Sequence, residues 1–247
     1  MSLEEFIKNL TKEDLDKINR EFAKKENKKV SYNYSKITGL DLKKIFNIEE
    51  NFSREIFKPW LESDIVLSKE VKFFLKELID ENQALMKSYS EEDLKVNFII
   101  PILNKIKFKS YENRFRDFYE LPLSYVTNEF TLKGTTDFAV SKGLKYSEKL
   151  YFFIQEFKKS IDNSNPEPQL LAELISAVEL NDWKTIKGAY IIGENWSFVI
   201  LNRLDKHKYE YFVSKTFNST NFEDLKGIFK NLLFVKDEII EMIKKGD

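Results

Sequence analysis

The sequence predicts an α/β protein, with a central mixed β-sheet flanked by helices over residues 86–247 and a helical appendage over residues 1–85. Three observations carry this expectation. Residues 150–160, LYFFIQEFKKS, contain an apolar run rich in strand formers and too short for a helix of its own, the pattern of a central strand buried on both faces. Around it, segments of strand-like composition trade places with segments of helical period. Before residue 85, apolar residues recur three and four positions apart, as on the inner face of amphipathic helices.

In chain order, Leu3, Phe6, Ile7 and Leu10 form one helical stripe, Leu15, Ile18 and Phe22 a second, and Val71, Phe74, Leu75 and Leu78 a third. A basic loop, KKENKK at 24–29, and a segment with Pro59 and Trp60 lie between them. The expected role of this third is to cover the core, with substrate or partner binding as the functional alternative. Ser90 followed by Glu91, Glu92 and Asp93 marks a helix start, because a serine with an acid three residues later closes a capping box and acids favour a first turn. This helix buries Leu94, Phe98, Ile99, Ile102 and Leu103, and Pro101 predicts a kink in it. At Glu120 the period changes. Residues 120–126 and 130–140 read as paired strands around a Thr-Asn-Glu turn, and the central strand follows. The loop IDNSNPEP at 161–168 leads into a helix at 169–180, whose Leu170, Leu171, Leu174, Ile175 and Val178 face the core, with Gln169, Glu173 and Ser176 on an adjoining polar face. Strands at 187–193, 196–202 and 208–217, then an amphipathic helix from Phe222 to about Ile243, complete the order.

Composition removes several chemistries. The chain has no cysteine, which excludes thiol nucleophiles, zinc–cysteine sites and disulfides. Its one histidine, His207, lies in LDKHK between two predicted strands and reads as an exposed turn residue rather than a member of a Ser-His-Asp system. Neither a Walker loop nor Gly-x-Gly-x-x-Gly is present. The 40 basic and 41 acidic residues balance, so an anionic ligand must be met by a local patch. The acidic, amphipathic start MSLEEFIKNL is unlike a signal sequence, and no apolar run approaches the ~20 residues that span a bilayer. A cytoplasmic protein with no membrane partner is the expectation.

Carboxylate and lysine chemistry remains. With a period of two, Phe152, Ile154, Glu156 and Lys158 share one face of the central strand, setting an acid and a base side by side where the strand leaves the core. Burying them is costly unless they are paired or coordinate something. Asp137 lies in the adjacent predicted strand. Two carboxylates without softer ligands describe a Mg²⁺ or Mn²⁺ site, and a lysine beside such an ion can orient or deprotonate a water. Metal, water and lysine together suit phosphodiester hydrolysis.

These residues resemble the signature of the PD-(D/E)XK nuclease superfamily. Asp137 in GTTDFAV matches its first acid, and Glu156 and Lys158 in QEFKK its Glu-x-Lys pair. Gln169 resembles the glutamine on the following helix in many members, including the nuclease-like domains of type I restriction motor subunits. Glu91 resembles the acid on the first core helix. The match runs over about residues 90–205. Thr136 stands where the pattern has proline, and Glu173 where one branch has tyrosine. The resemblance implies a restriction-endonuclease-like core and Mg²⁺- or Mn²⁺-dependent hydrolysis of DNA by an endonuclease of restriction or defence type. It implies Asp137, Glu156 and the Phe157 carbonyl as metal ligands, and Lys158 as the residue that positions the attacking water. Gln169, with Glu91 or Glu173, forms the supporting shell, Glu91 as a further metal ligand.

Each residue also has a bland reading. The macrodipole alone favours Glu91, or Glu92 beside it; Gln169 can cap its helix; Asp137 can be a solvated edge acid; Glu156 and Lys158 can form an ordinary ion pair. Lys159 points to the opposite face. Lys105, Lys107 and Lys109 either line a DNA path or form an exposed edge. The rival from another class is a catalytically inactive protein of this fold that binds DNA or a protein partner. RNA as substrate and a homodimer stay open.

Overall fold

The computed structural model describes residues 10–25, 29–160 and 165–245. Leu3, Phe6 and Ile7 of the first stripe lie outside these residues, as do positions 26–28 of the basic loop and 161–164 of the loop after the central strand. The order is α1 Lys12–Lys25, β1 Val30–Asn33, a 3-10 turn Tyr34–Lys36, α2 Gly39–Ile45, β2 Asn47–Glu50, α3 Lys58–Leu61, α4 Lys69–Asn82 and α5 Glu91–Leu94. A π-helical turn Lys95–Ile99 joins α5 to α6 Ile100–Ile106. Then come β3 Lys109–Ser110, β4 Phe115–Val126, β5 Phe130–Lys142, β6 Glu148–Lys158, α7 Pro166–Asn181, β7 Thr185–Ile192, β8 Asn195–Asp205, β9 Lys208–Val213, β10 Phe217–Asn218 and α8 Phe222–Lys245. Among the described residues no helix is long and apolar enough to cross a membrane.

The protein is α/β, with one large mixed sheet flanked by helices. The main path is β2-β9-β8-β7-β6-β5-β4-β3, with β1 beside β5 and β10 beside β8. β6 runs parallel to β7 and antiparallel to β5, so it is the central strand its composition predicts. The crossover between the parallel strands is α7, as parallel neighbours require. One face of the sheet packs on α7 through Ile154, Val199 and Leu201. The other carries α3, α4, α6 and α8 over Phe138, Phe153, Phe157, Ile191 and Phe198.

The N-terminal third differs from the expected helical appendage. Val30–Asn33 pairs with β5 and Asn47–Glu50 with β9; four residues each are too few for strand alternation to register in the sequence. This third also enters both layers, Tyr34, Ile37, Leu42 and Phe46 on the α7 side and Phe57, Trp60, Leu75 and Leu78 on the other. A Cβ on Gly134 would come within 2.7 Å of the Tyr34 ring, so glycine is what admits that ring against β5. The Leu15, Ile18 and Phe22 stripe is exposed rather than turned inward.

Two local readings change. Pro101 brings a π-helical turn over Lys95–Ile99 in place of a simple kink, since its missing N–H breaks the regular ladder and the preceding turn widens. The expected alternation from Phe152 to Lys158 breaks at Phe152. Val140 pairs with Phe153 and Ser141 with Tyr151, so Phe152 is the extra residue of a β-bulge. It packs with Phe153 in the opposite layer, while Ile154 faces α7.

Candidate functional site

β5 has β4 along one side and shares its other side between two strands. β6 pairs with Phe138 onward, and β1 pairs with Phe130 to Lys133. The sheet therefore forks at Asp137. Beyond the Phe138–Gln155 pair the backbones part, and side chains take over the orphaned donors: the Phe157 N–H donates to Asp137 Oδ2 at 2.8 Å, and the Asp137 N–H donates to Glu156 Oε1 at 3.1 Å. Buried backbone donors must be paired, and the two acids are what pairs them. Opposite Asp137 on β4, Glu120 has φ 49°, a left-handed conformation that non-glycine residues seldom adopt.

The sequence-predicted residues converge at this fork. Lys158 Nζ lies 3.9 Å from both Asp137 Oδ2 and Glu156 Oε2 and donates to the Phe157 carbonyl at 3.0 Å. Asn165 caps α7, accepting from the Glu167 N–H, and the first turns of this helix then aim Gln169 at the fork. The Gln169 amide Nε2 bridges two acids, donating to Glu156 Oε2 at 2.7 Å and to Glu173 Oε1 at 3.2 Å. Its bland reading as a cap is therefore not what it does here; Asn165 caps instead. Glu173 is wholly buried, and among the described residues its Oε2 has no hydrogen-bond partner. Ser176 faces the same layer, accepting from the Tyr34 hydroxyl at 2.8 Å.

Other candidates fall elsewhere. Glu91 reaches the cluster through Lys95, 3.5 Å away, while Glu92 and Lys159 are exposed. Lys105 is bound to Glu70 at 2.8 Å and lies over Phe74; Lys107 and Lys109 are exposed. His207 is a turn residue with φ 56°, as expected, but half-buried against Phe46 and Phe130. The residue sequence reasoning missed is Lys95. Its Nζ donates to Asp137 Oδ1 at 3.1 Å, and the one signal for it was its position four residues after Glu91.

The donors facing the fork are hard oxygens: Asp137, Glu156, the Phe157 carbonyl, and the orphaned Oε2 of Glu173 behind them. Among the described residues no three Asp, Glu, His or Cys side chains form a ready ion cage. Two carboxylates and a carbonyl fit Mg²⁺ or Mn²⁺, which keep several waters, better than an ion needing a full protein shell.

Burial, reinforced by Glu173 and Asp137, pushes the Glu156 carboxyl well above its ordinary range, with Lys158 opposing. Burial likewise pushes Glu173 up to about 8. The buried pair therefore holds a proton that solvated glutamates would have lost. A carboxyl raised on folding gives stability that is full below its unfolded value and is lost as pH rises through the folded one. For this pair the loss runs from the ordinary carboxylate range up to about pH 8. In EDTA, Glu173→Gln is expected to melt near wild type at pH 5 and above it at pH 8. Melting curves with the same pH slope in both proteins would contradict the shared proton.

No protein-family model matches the chain, and no curated protein sequence matches it either.

Proposed function

We propose that this protein is a Mg²⁺- or Mn²⁺-dependent nuclease with a restriction-endonuclease-like, PD-(D/E)XK-type core, hydrolysing DNA phosphodiester bonds as an endonuclease of restriction or defence type. The observation that carries the reading is the meeting of Asp137, Glu156 and Lys158 at the fork between β5 and β6. A mixed sheet flanked by helices, with Gln169 delivered by the crossover helix, is compatible with it.

Asp137 and Glu156, with the Phe157 carbonyl, would hold the ion. When bound, the ion supplies Lewis-acid neutralisation of charge on the phosphoryl oxygens and makes water more acidic. Gln169 fixes the Glu156 carboxylate by donating to Oε2, leaving Oε1 toward Asp137. Lys158 Nζ, within 4 Å of both acids, orients a water beside the phosphorus and holds positive charge where negative charge develops on the phosphoryl oxygens. Burial of Phe153, Phe157 and Ile154 at the floor lowers the local dielectric and strengthens each of these interactions.

One observation favours the inactive rival: both acids already serve backbone N–H groups, which gives them a structural use. Divalent ion binding separates the two. With added Mn²⁺ the wild-type melting temperature is expected to rise, and that of Asp137→Asn, which keeps an oxygen for the Phe157 N–H, to stay put. Equal rises in both proteins, or no rise in wild type, would count against the metal site.

A further inference from the structure

Lys95 is the second ammonium at the fork. It opens the π-helical turn, and its side chain is only 13% exposed. Its Nζ faces Asp137 Oδ1 at 3.1 Å and Glu91 Oε1 at 3.5 Å, with the Phe157 ring centroid at 5.6 Å. Asp137 Oδ2 accepts the Phe157 N–H at 2.8 Å and has Lys158 Nζ 3.9 Å away, so Oδ1 is the oxygen Asp137 has left for a divalent ion. Oδ1 is also the atom Lys95 holds.

Resting on the metal-dependent reading above, we infer that Lys95 and the divalent ion compete for Asp137 Oδ1, and that Glu91 is the second seat that keeps the displaced ammonium beside the site. Two cations cannot share one carboxylate oxygen at contact distance without strong repulsion. Glu91 lies one helical turn before Lys95, the spacing at which side chains meet. The capping box of Ser90 and Asp93 fixes that first turn, which holds Glu91 in place. A small rotation of the four-carbon lysine stem moves Nζ from one acid to the other. Lys95 thus stays at the rim, where its charge can meet a phosphate rather than disperse into solvent. Glu91 acts through Lys95 and is a positioning residue, not a metal ligand.

Calorimetric titration of Mn²⁺ at pH 7.5, without nucleic acid, tests this on wild type, Lys95→Met, Lys95→Arg, Glu91→Gln and the Glu91→Gln/Lys95→Met double variant. Lys95→Met is expected to bind Mn²⁺ about tenfold more tightly, the scale of one charge-assisted hydrogen bond. Lys95→Arg keeps the charge, stays near wild type and controls for folding. Glu91→Gln weakens binding in the wild-type background and changes little once Lys95 is methionine, as coupling through Lys95 demands. Wild-type affinity in Lys95→Met overturns the competition and leaves the metal site standing. Equal weakening by Glu91→Gln in both backgrounds makes Glu91 a ligand and overturns its role as a seat. Absence of Mn²⁺ binding in every protein overturns the inference together with the reading it rests on.

Discussion

Lys158→Ala is expected to lower metal-dependent DNA cleavage by about 10²- to 10⁴-fold, the range for removing a group that handles a proton or positions a nucleophile. The loss should fall on kcat. Lys158 sits 3.9 Å from both acids, so its removal takes a competing positive charge from beside them and Mn²⁺ should bind at least as tightly as in wild type. That combination, tighter metal and slower chemistry, separates a water-positioning lysine from one that only neutralises the acids. Single-turnover cleavage with saturating Mn²⁺ measures it. A Lys158→Ala protein that cleaves within a few-fold of wild type would remove Lys158 from the chemistry.

The second large effect concerns stability. Trp60→Ala is expected to cost about 3–5 kcal/mol, as for other buried aromatic truncations. Trp60 is 1% exposed, meets Phe198 edge-on at 5.0 Å between centroids and donates from Nε1 to the Asn231 carbonyl at 2.9 Å. Lys187 lies over its ring. The substitution leaves a cavity between β8 and α8 and removes the bond from Nε1 to the Asn231 carbonyl, so the damage reaches residues far from position 60 in the chain. Urea unfolding should show one transition for the whole protein, shifted to lower denaturant. A loss below about 1 kcal/mol, or a separate early transition, would mean that the N-terminal third folds apart from the sheet.

Where the sequence was legible, the reason was local. β6 announces itself through Tyr151 to Ile154, α7 through its apolar residues and the turn-rich loop before them, and the hairpin of β4 and β5 through the three-residue turn at 127–129. The helix start at Ser90 forms the capping box its spacing predicts. Glu156 and Lys158 were found because strand period sets them on one face, Asp137 because it lies in the adjacent strand, and Gln169 through the resemblance of the sequence to a known signature.

What was missed depends on contacts between distant segments. β1 and β2 are four residues long and owe their conformation to partners about a hundred residues and more away, so nothing in their own pattern marks them. Phe152 left its expected face because of a bulge set by β5. Lys95 looks like any surface lysine until the π-helical turn and the fork bring it to Asp137. Glu173, read both as a departure from a motif and as an alternative to Glu91 in the supporting shell, is wholly buried behind Glu156 and joined to it through Gln169.

The most direct test is cleavage by the purified protein of supercoiled plasmid, linear duplex, single-stranded DNA and RNA, each with Mg²⁺, Mn²⁺ or EDTA, beside Lys158→Ala. The expected result is nicking of DNA with either metal, none in EDTA and none beyond background by the variant. Cleavage that persists in EDTA, or a protein that leaves every substrate intact in both metals, would contradict it.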